Sequence, residues 1–493
     1  MSSAAGLFAG YPGSDADELV GPDGRLRAGG ELLGPVLERL GTAGLLAAAA
    51  ALAAEGRARG PVVGSWTDGQ RSERVVPLDP VPRVLHAAEW ARLAAGVEQR
   101  HRALNAFLAD VYRAAGRRRG DPDREPGVVR AGVLPGWVVA HSPGRDPGAV
   151  GLAWTGQARA ALAAVDVVRT AAGTWTVRGD SLRVPSGLGL ALSARARVRA
   201  AAPELLPAAV RPADPGDAVP LLAAALAATA PPACAGEPRI AVLSAGRTDG
   251  HWSEHRLLAE ALGAPLVQAG DLWPRVDGGI AATVDGDRLP VDVLYRRFDD
   301  AELGAHRTPA GPSLTGLLAE AVRAGRLGLA NVPGNAVADD AVVQCFVPAM
   351  IEHYLGERPL LSGAPTWVLA DPAQWAQVRD RLHELVLTPL DAYGGGRVVA
   401  GPDCSAAELA ELQAEVAAAP HRFVARDPVR ATTLPTVVDG RLEPRAVDLR
   451  VLSVATPDGV RALPAPLTRV AAAGSPETDV RRGGGTKDTW LVP

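Results

Sequence analysis

Ile240-Ala241-Val242-Leu243-Ser244 is followed by a turn at Gly246, an amphipathic stretch over 251–262, and Pro265-Leu266-Val267. Val291-Asp292-Val293-Leu294-Tyr295 and a second periodic stretch, Leu314–Arg323, come next. Short apolar runs that alternate with helix-length periodic segments predict buried parallel strands crossed by helices. This part of the chain therefore reads as a small parallel α/β layer inside an α/β protein. The flanks read differently. Upstream, Trp90, Leu93, Val97, Leu104, Phe107, Leu108 and Val111 mark a helix over 89–112, and strands are expected near 137–140, 164–169 and 174–178. Downstream come a strand at 366–370, a helix at 374–384, a hairpin over 385–401, a helix at 405–418 and three or four final strands. The expected divisions are 1–72, an N-terminal helical region; 73–232, a first α+β lobe; 233–365, the small α/β domain; and 366–493, a second lobe.

The chain has 493 residues, enough for about two to four domains. It is 47% hydrophobic and 22% charged, the balance of a globular protein with a large core. A formal charge of −4 and 4% aromatic residues argue against nucleic-acid binding by bulk charge or base stacking. Cys234, Cys345 and Cys404 are odd in number and far apart, which suits a reducing cytoplasm better than a disulfide framework. The N-terminus lacks the basic segment of a signal peptide. The apolar run 44–54 ends at Glu55, too short for a bilayer span, and reads as a helix packed on one side.

Of the 51 Lys and Arg residues one is lysine, Lys487, in Gly483-Gly484-Gly485-Thr486-Lys487-Asp488-Thr489-Trp490. A lysine kept among arginines suggests a place for a compact point charge. Glycines beside it leave backbone N–H groups free for phosphate. The other reading is an incidental lysine, but the following Trp490-Leu491-Val492 has the character of a docked strand.

Four segments could carry chemistry. Asp166 and Asp180 end neighbouring predicted strands and could share a divalent cation, with Arg183 within reach of a phosphate; solvated strand-end acids fit the same pattern. Arg296 and Arg297, in Tyr295-Arg296-Arg297-Phe298-Asp299-Asp300, lie at the carboxyl end of a strand, where ligands bind in open α/β sheets. A solvated charge run is the alternative. Between Thr388 and Val398, the run Gly394-Gly395-Gly396 could form a flap over a triphosphate or a simple turn. Asp448, Arg450, Arg469 and Lys487 form the last group. It is not a Walker A loop, because Thr486 separates the glycines from the lysine and no helix follows.

In this order the segments resemble the circularly permuted ATP-grasp family, type 2, the group associated with alpha-E and transglutaminase-like proteins. Further marks are Pro77-Leu78-Asp79-Pro80-Val81-Pro82-Arg83, Gln99-Arg100, residues 331–340, and Val447-Asp448-Leu449-Arg450. The acid segment 166–187 precedes the glycine run 394–396, which fits the permutation. The resemblance implies a grasp fold with a pre-ATP-grasp-like layer, ATP and Mg held between two lobes, and a carboxylate–amine ligase activity. It implies catalytic roles for Arg183, Arg450 and Lys487. Cofactor contacts would come from Arg296, Arg297, Gly394, Gly395, Gly396, Asp427, Asp448 and Arg469, and metal contacts from Asp166 and Asp180. Small-molecule acid and amine substrates would follow, with an alpha-E or transglutaminase-like protein as partner and neither nucleic acid nor membrane involved.

The chain departs from the family where that chemistry concentrates. The family's Glu-x-Asn-x-Arg metal motif falls on Gly179, Ser181 and Arg183; its flap lysine is Thr388; its Asp-Asp-Lys is Asp339-Asp340-Ala341; and the Gln-Glu of the hinge strand beside adenine is Arg426-Asp427. These losses favour weakened or absent catalysis. The alternative to a ligase is thus a pseudoenzyme that serves as scaffold or regulator of an active paralogue or an alpha-E protein.

Overall fold

The strand Arg441–Thr456 runs through sixteen residues and pairs with four other strands among the described residues. Its first part pairs with Thr433–Val438 in a hairpin, with Asp439 and Gly440 at positive φ in the turn. Its second part is central to the largest sheet. That sheet runs Ser362–Gly363, Trp175–Ser181, Leu162–Arg169, Arg441–Thr456, Leu467–Val470, Gly485–Val492 and Leu78–His86. The computed structural model describes residues 7–8, 10–27, 29–67, 70–207, 210–390, 398–475 and 477–493.

The central strands are buried on both faces, which explains their nearly continuous apolar sequence. Val165, Val167, Leu449 and Val451 face Leu93 and Val97 of the helix Ala87–Ala115. Leu162, Ala164, Leu452 and Val454 face the other way, toward Leu188 and Leu190. Each valine or leucine side chain fully buried here contributes about 1.5–3 kcal/mol. The terminal Trp490-Leu491-Val492 is a docked strand, parallel to Leu78–His86.

The parallel layer is present. Gly328–Ala330, Val293–Arg296, Ile240–Leu243 and Leu266–Val267 form four parallel strands in that order. The helices Trp252–Leu262 and Leu314–Arg323 accompany them. Ser313 caps the second helix by accepting from Gly316 N–H at 3.1 Å. A separate four-stranded antiparallel sheet runs Thr366–Val368, Phe423–Arg426, Val386–Pro389 and Val399–Ala400. The helix Ala406–Ala418 packs on it through Leu412 and Val416.

Four expectations change. Among the described residues six strands, not three or four, follow the helix Ala406–Ala418, because Arg441–Thr456 forms hairpins with short strands on both sides. Residues 137–140 form no strand; Gly136–Ala140 is a short helix whose Val138 and Val139 enter the main core. Four apolar residues show no period, so sequence alone cannot tell the two apart. The helix expected over 374–384 is Pro372–Val378, followed by a single 3₁₀ turn at Leu382–Glu384. The N-terminal helix is longer than the apolar run 44–54: it spans Gly34–Arg59 and bends at Gly41, where φ is +58°. By length and composition alone it could cross a membrane. In the fold its Leu37, Leu45 and Leu52 are buried with Trp490 and Leu205, so it is packed on one side as expected.

Candidate functional site

A cleft of about 1700 Å³ separates the end of the large sheet from the small antiparallel sheet. Asp166, Gly179, Asp180, Ser181 and Arg450 line one wall; Thr388, Val398 and Arg426 line the other. Asp339, Asp340, Gln344 and Cys345 close one end. The segment 391–397, which includes Gly394, Gly395 and Gly396, lies outside the described residues.

Asp166 and Arg450 are register partners on antiparallel neighbours. Arg450 donates to both Asp166 oxygens, from Nε at 2.7 Å and Nη2 at 2.8 Å. Arg469 adds a third contact, 3.1 Å from Asp166 Oδ1, and also binds Asp448 from Nε at 2.9 Å. Burial alone would raise the Asp166 pKa; the guanidiniums of Arg450 and Arg469 outweigh it and hold the carboxyl well below the usual carboxylate range. Asp448 is fully buried, accepts also from the Thr478 hydroxyl, and does not line the cleft.

Asp180 is held in the same way. Arg100, on the helix Ala87–Ala115, donates to it from Nε at 2.8 Å and Nη2 at 2.5 Å. Asp166 and Asp180 therefore share the cleft wall, as expected, but each is already engaged by a two-pronged guanidinium. Among the described residues no three His, Cys, Asp or Glu side chains converge in a way that could hold a metal ion. With both carboxylates engaged by arginine and no third ligand beside them among the described residues, the residues present do not fit magnesium.

The predicted cationic residues divide. Arg183 lines the cleft and pairs with Asp299. Arg296 does not line it: buried, it pairs with Asp300 at 2.7 Å and donates to Phe298 O and Asn331 O. Arg297 is likewise internal and donates to Pro185 O at 2.7 Å and the Tyr295 hydroxyl at 3.1 Å. These two arginines tie the parallel layer to its neighbours, because the strand end they sit on is covered, not open. Asp427 stands 4.0 Å from Arg381, away from the cleft wall.

Lys487 is the clearest correction. Its side chain has 0% exposure, pairs with Asp79 and donates to Pro435 O at 2.8 Å. Arg469 and Lys487 lie on neighbouring strands, but the lysine points into the core and not to a ligand. Burial pushes its pKa down and Asp79 opposes that. The Asp79 carboxylate also accepts from Val81 N–H at 3.0 Å and Val437 N–H at 2.7 Å. The ammonium serves here as the partner of a buried acid.

Several cleft residues were not expected as site residues. Asp339 accepts Leu182 N–H at 2.6 Å, and burial pushes its carboxyl up to about 7 against that hydrogen bond and the nearby Arg183. Asp340 accepts from the Ser142 hydroxyl at 2.6 Å, and burial raises its pKa too. Arg178, Arg426 and Arg430 also line the cleft. The Asp339-Asp340 match and the Arg426 replacement mark three of these positions in the sequence; no local signal marks Arg178 or Arg430.

A family model described as circularly permuted ATP-grasp type 2 matches residues 82–471. A protein of Frankia alni that carries the name "Putative glutamate--cysteine ligase 2-3" is 41% identical over 98% of this chain and 54% of its own length. An uncharacterized protein of Mycobacterium tuberculosis is 38% identical over 85% of this chain and 74% of its own. The chain thus spans about half the length of the Frankia relatives it matches. Among solved structures, a glutathione synthetase-like effector from Globodera pallida in its apo form aligns with a TM-score of 0.50 at 12% identity. The alignment covers 94% of this chain and 98% of that one, and the likeness is one of fold.

Proposed function

Because this chain belongs to the circularly permuted ATP-grasp type 2 family, we propose that it keeps the grasp cleft as a metal-independent site for an anionic ligand and does not run ATP-dependent ligation. The observation that carries this reading is the engagement of Asp166 by both Arg450 and Arg469. Phosphoryl transfer relies on metal ions to neutralise charge on the transferring group. For Asp166 to coordinate magnesium, it would have to leave both guanidiniums. Arg450 would lose its carboxylate while Arg469 keeps Asp448, at a cost of about 2–3 kcal/mol for a partly buried pair. Among the described residues no third carboxylate joins Asp166 and Asp180 to replace the Glu and Asn of the family motif at Gly179 and Ser181. A protein of this kind would act as a cytoplasmic scaffold or regulator, with an active paralogue or an alpha-E protein as its partner.

The deciding measurement is a calorimetric titration of ATP with and without magnesium. The expected outcome is a difference below tenfold, about 1.4 kcal/mol. A larger gain with magnesium would mean that Asp166 and Asp180 rebuild a metal site.

The second reading is an active carboxylate–amine ligase that makes an acyl phosphate from ATP and lets an amine displace the phosphate. The names of the Frankia relatives favour it, and glutamate with cysteine is the first substrate pair to try. Release of ADP and phosphate that depends on both substrates would establish that reading and remove the first.

A further inference from the structure

The cleft arginines fall into two groups. Arg100, Arg183 and Arg450 each hold an aspartate, Asp180, Asp299 and Asp166 in turn. Arg178, Arg426 and Arg430 hold none among the described residues. Arg178 is on the strand Trp175–Ser181 of the large sheet, and Arg426 ends the hinge strand Phe423–Arg426 of the small one. Arg426 Nη1 donates to Arg178 O at 3.2 Å, which brings the two strands together across the cleft. Burial first, and the like charge of Arg178 second, push Arg426 down to about 10. The positive charge without an acidic partner thus lies where the strands Trp175–Ser181 and Phe423–Arg426 meet.

We propose that Arg178 and Arg426, with Arg430 at the rim, form an anion site for a small ligand bearing at least two phosphate or carboxylate groups. Two neighbouring guanidinium forks match such oxygens by shape as well as charge. Bound oxyanions relieve the repulsion between the two arginines, which the free protein leaves uncompensated. This inference rests on the reading of the cleft as a metal-free ligand site and supplies the chemistry of its ligand.

Thermal unfolding and calorimetry of the full chain in EDTA test it, with inorganic pyrophosphate, citrate and adenosine as separate probes. Pyrophosphate or citrate is expected to raise the melting temperature of the wild-type protein. Pyrophosphate alone identifies phosphate as the ligand chemistry; citrate alone identifies carboxylate. Arg426→Met and Arg178→Met keep the apolar stem and remove the charge. Each is expected to fold and to weaken binding about tenfold or more, the scale of a charged hydrogen bond. Arg178 is half-exposed, so its variant carries the test if Arg426→Met folds poorly. The site is overturned if neither anion binds, if both variants bind as wild type, or if adenosine alone binds and loses binding in Arg426→Met. If magnesium strengthens ATP binding while pyrophosphate or citrate in EDTA still needs Arg178 and Arg426, the metal-free reading fails and this site stands. If metal-free binding survives both variants, this site fails and that reading stands.

Discussion

Arg450 and Asp166 stand opposite each other on antiparallel strands and are joined by two hydrogen bonds, 284 residues apart in sequence. The pair cross-links the strands Arg441–Thr456 and Leu162–Arg169 and neutralises the Asp166 carboxylate with protein groups.

Asp166→Asn is therefore expected to destabilise the fold and leave ATP affinity indifferent to magnesium. The side chains of Arg450 and Asp166 keep 17% and 22% exposure, so the cost should fall to about 2–3 kcal/mol, below that of a fully buried pair. The Asp166 carboxyl is depressed in the fold, so its stabilisation is present above the unfolded value of about 4 and is lost as pH falls toward the folded one. Urea midpoints at pH 3–7 should show less acid sensitivity in the variant than in the wild-type protein, to the extent that about 4 marks the start of the loss. Equal acid sensitivity would show that the pair contributes nothing in solution.

Lys487→Met should lower stability by about 3–5 kcal/mol, because Asp79 stays buried without its cation. Anion binding in the cleft should not change, since Lys487 does not line it. Chemical denaturation and a pyrophosphate titration of the same preparation separate the two effects. A variant of wild-type stability that binds pyrophosphate poorly would restore the lysine to a ligand site.

How much of this was legible depends on sequence separation. The parallel layer was readable because its signals are local: Leu314–Arg323 has a clear period, and Ile240–Leu243 is an apolar run of strand length. The cleft wall was readable in part, since Asp166, Asp180, Arg183 and Arg450 do meet there. Their partners were not. Lys487 and Asp79 are 408 residues apart, and Arg100 and Asp180 are 80 apart. Nothing local tells a charge kept for a ligand from one kept for a buried acid. Arg296 and Arg297 show the same ambiguity, because a strand end holds ligands only when no other element covers it.

Stability should depend on pH in two opposed ways near neutrality. Asp339 is raised to about 7, so the native state keeps a proton that the unfolded chain releases near pH 4, and its contribution falls as pH rises between these values. His101 is buried between the Ser453 hydroxyl and Ala160 O, each at 2.9 Å, and is lowered to about 4 by burial. It stays neutral in the fold, so stability drops as pH falls from its unfolded value of about 6.5. Asp339→Asn keeps the acceptor for Leu182 N–H and should remove only the loss that sets in as pH rises from about 4 to about 7. Guanidinium midpoints between pH 4 and 8 check this; an unchanged slope between those two values would place the ionisation elsewhere.

Restoration is the most demanding prediction. A Cβ at Gly179 would meet Gln344 Oε1 at 3.3 Å, the far end of a flexible side chain that can move aside. Gln344 gives up little, since its Nε2 bonds are to Asp180 O at 3.1 Å and Asp339 O at 3.3 Å. Gly179→Glu, Ser181→Asn and Thr388→Lys all fall on the cleft wall, two on one side and one on the other. The triple variant should fold and gain magnesium-dependent ATP binding, by about tenfold or more in affinity. Each single reversion should do much less, because groups around one metal–phosphate cluster act as a unit. Calorimetry with ATP, with and without magnesium, on all four proteins reads the result. A triple variant that folds and still ignores magnesium would mean that Arg450 and Arg469 hold Asp166 too firmly for added ligands to draw a metal in. The next step would then be to replace one of those arginines in the same background.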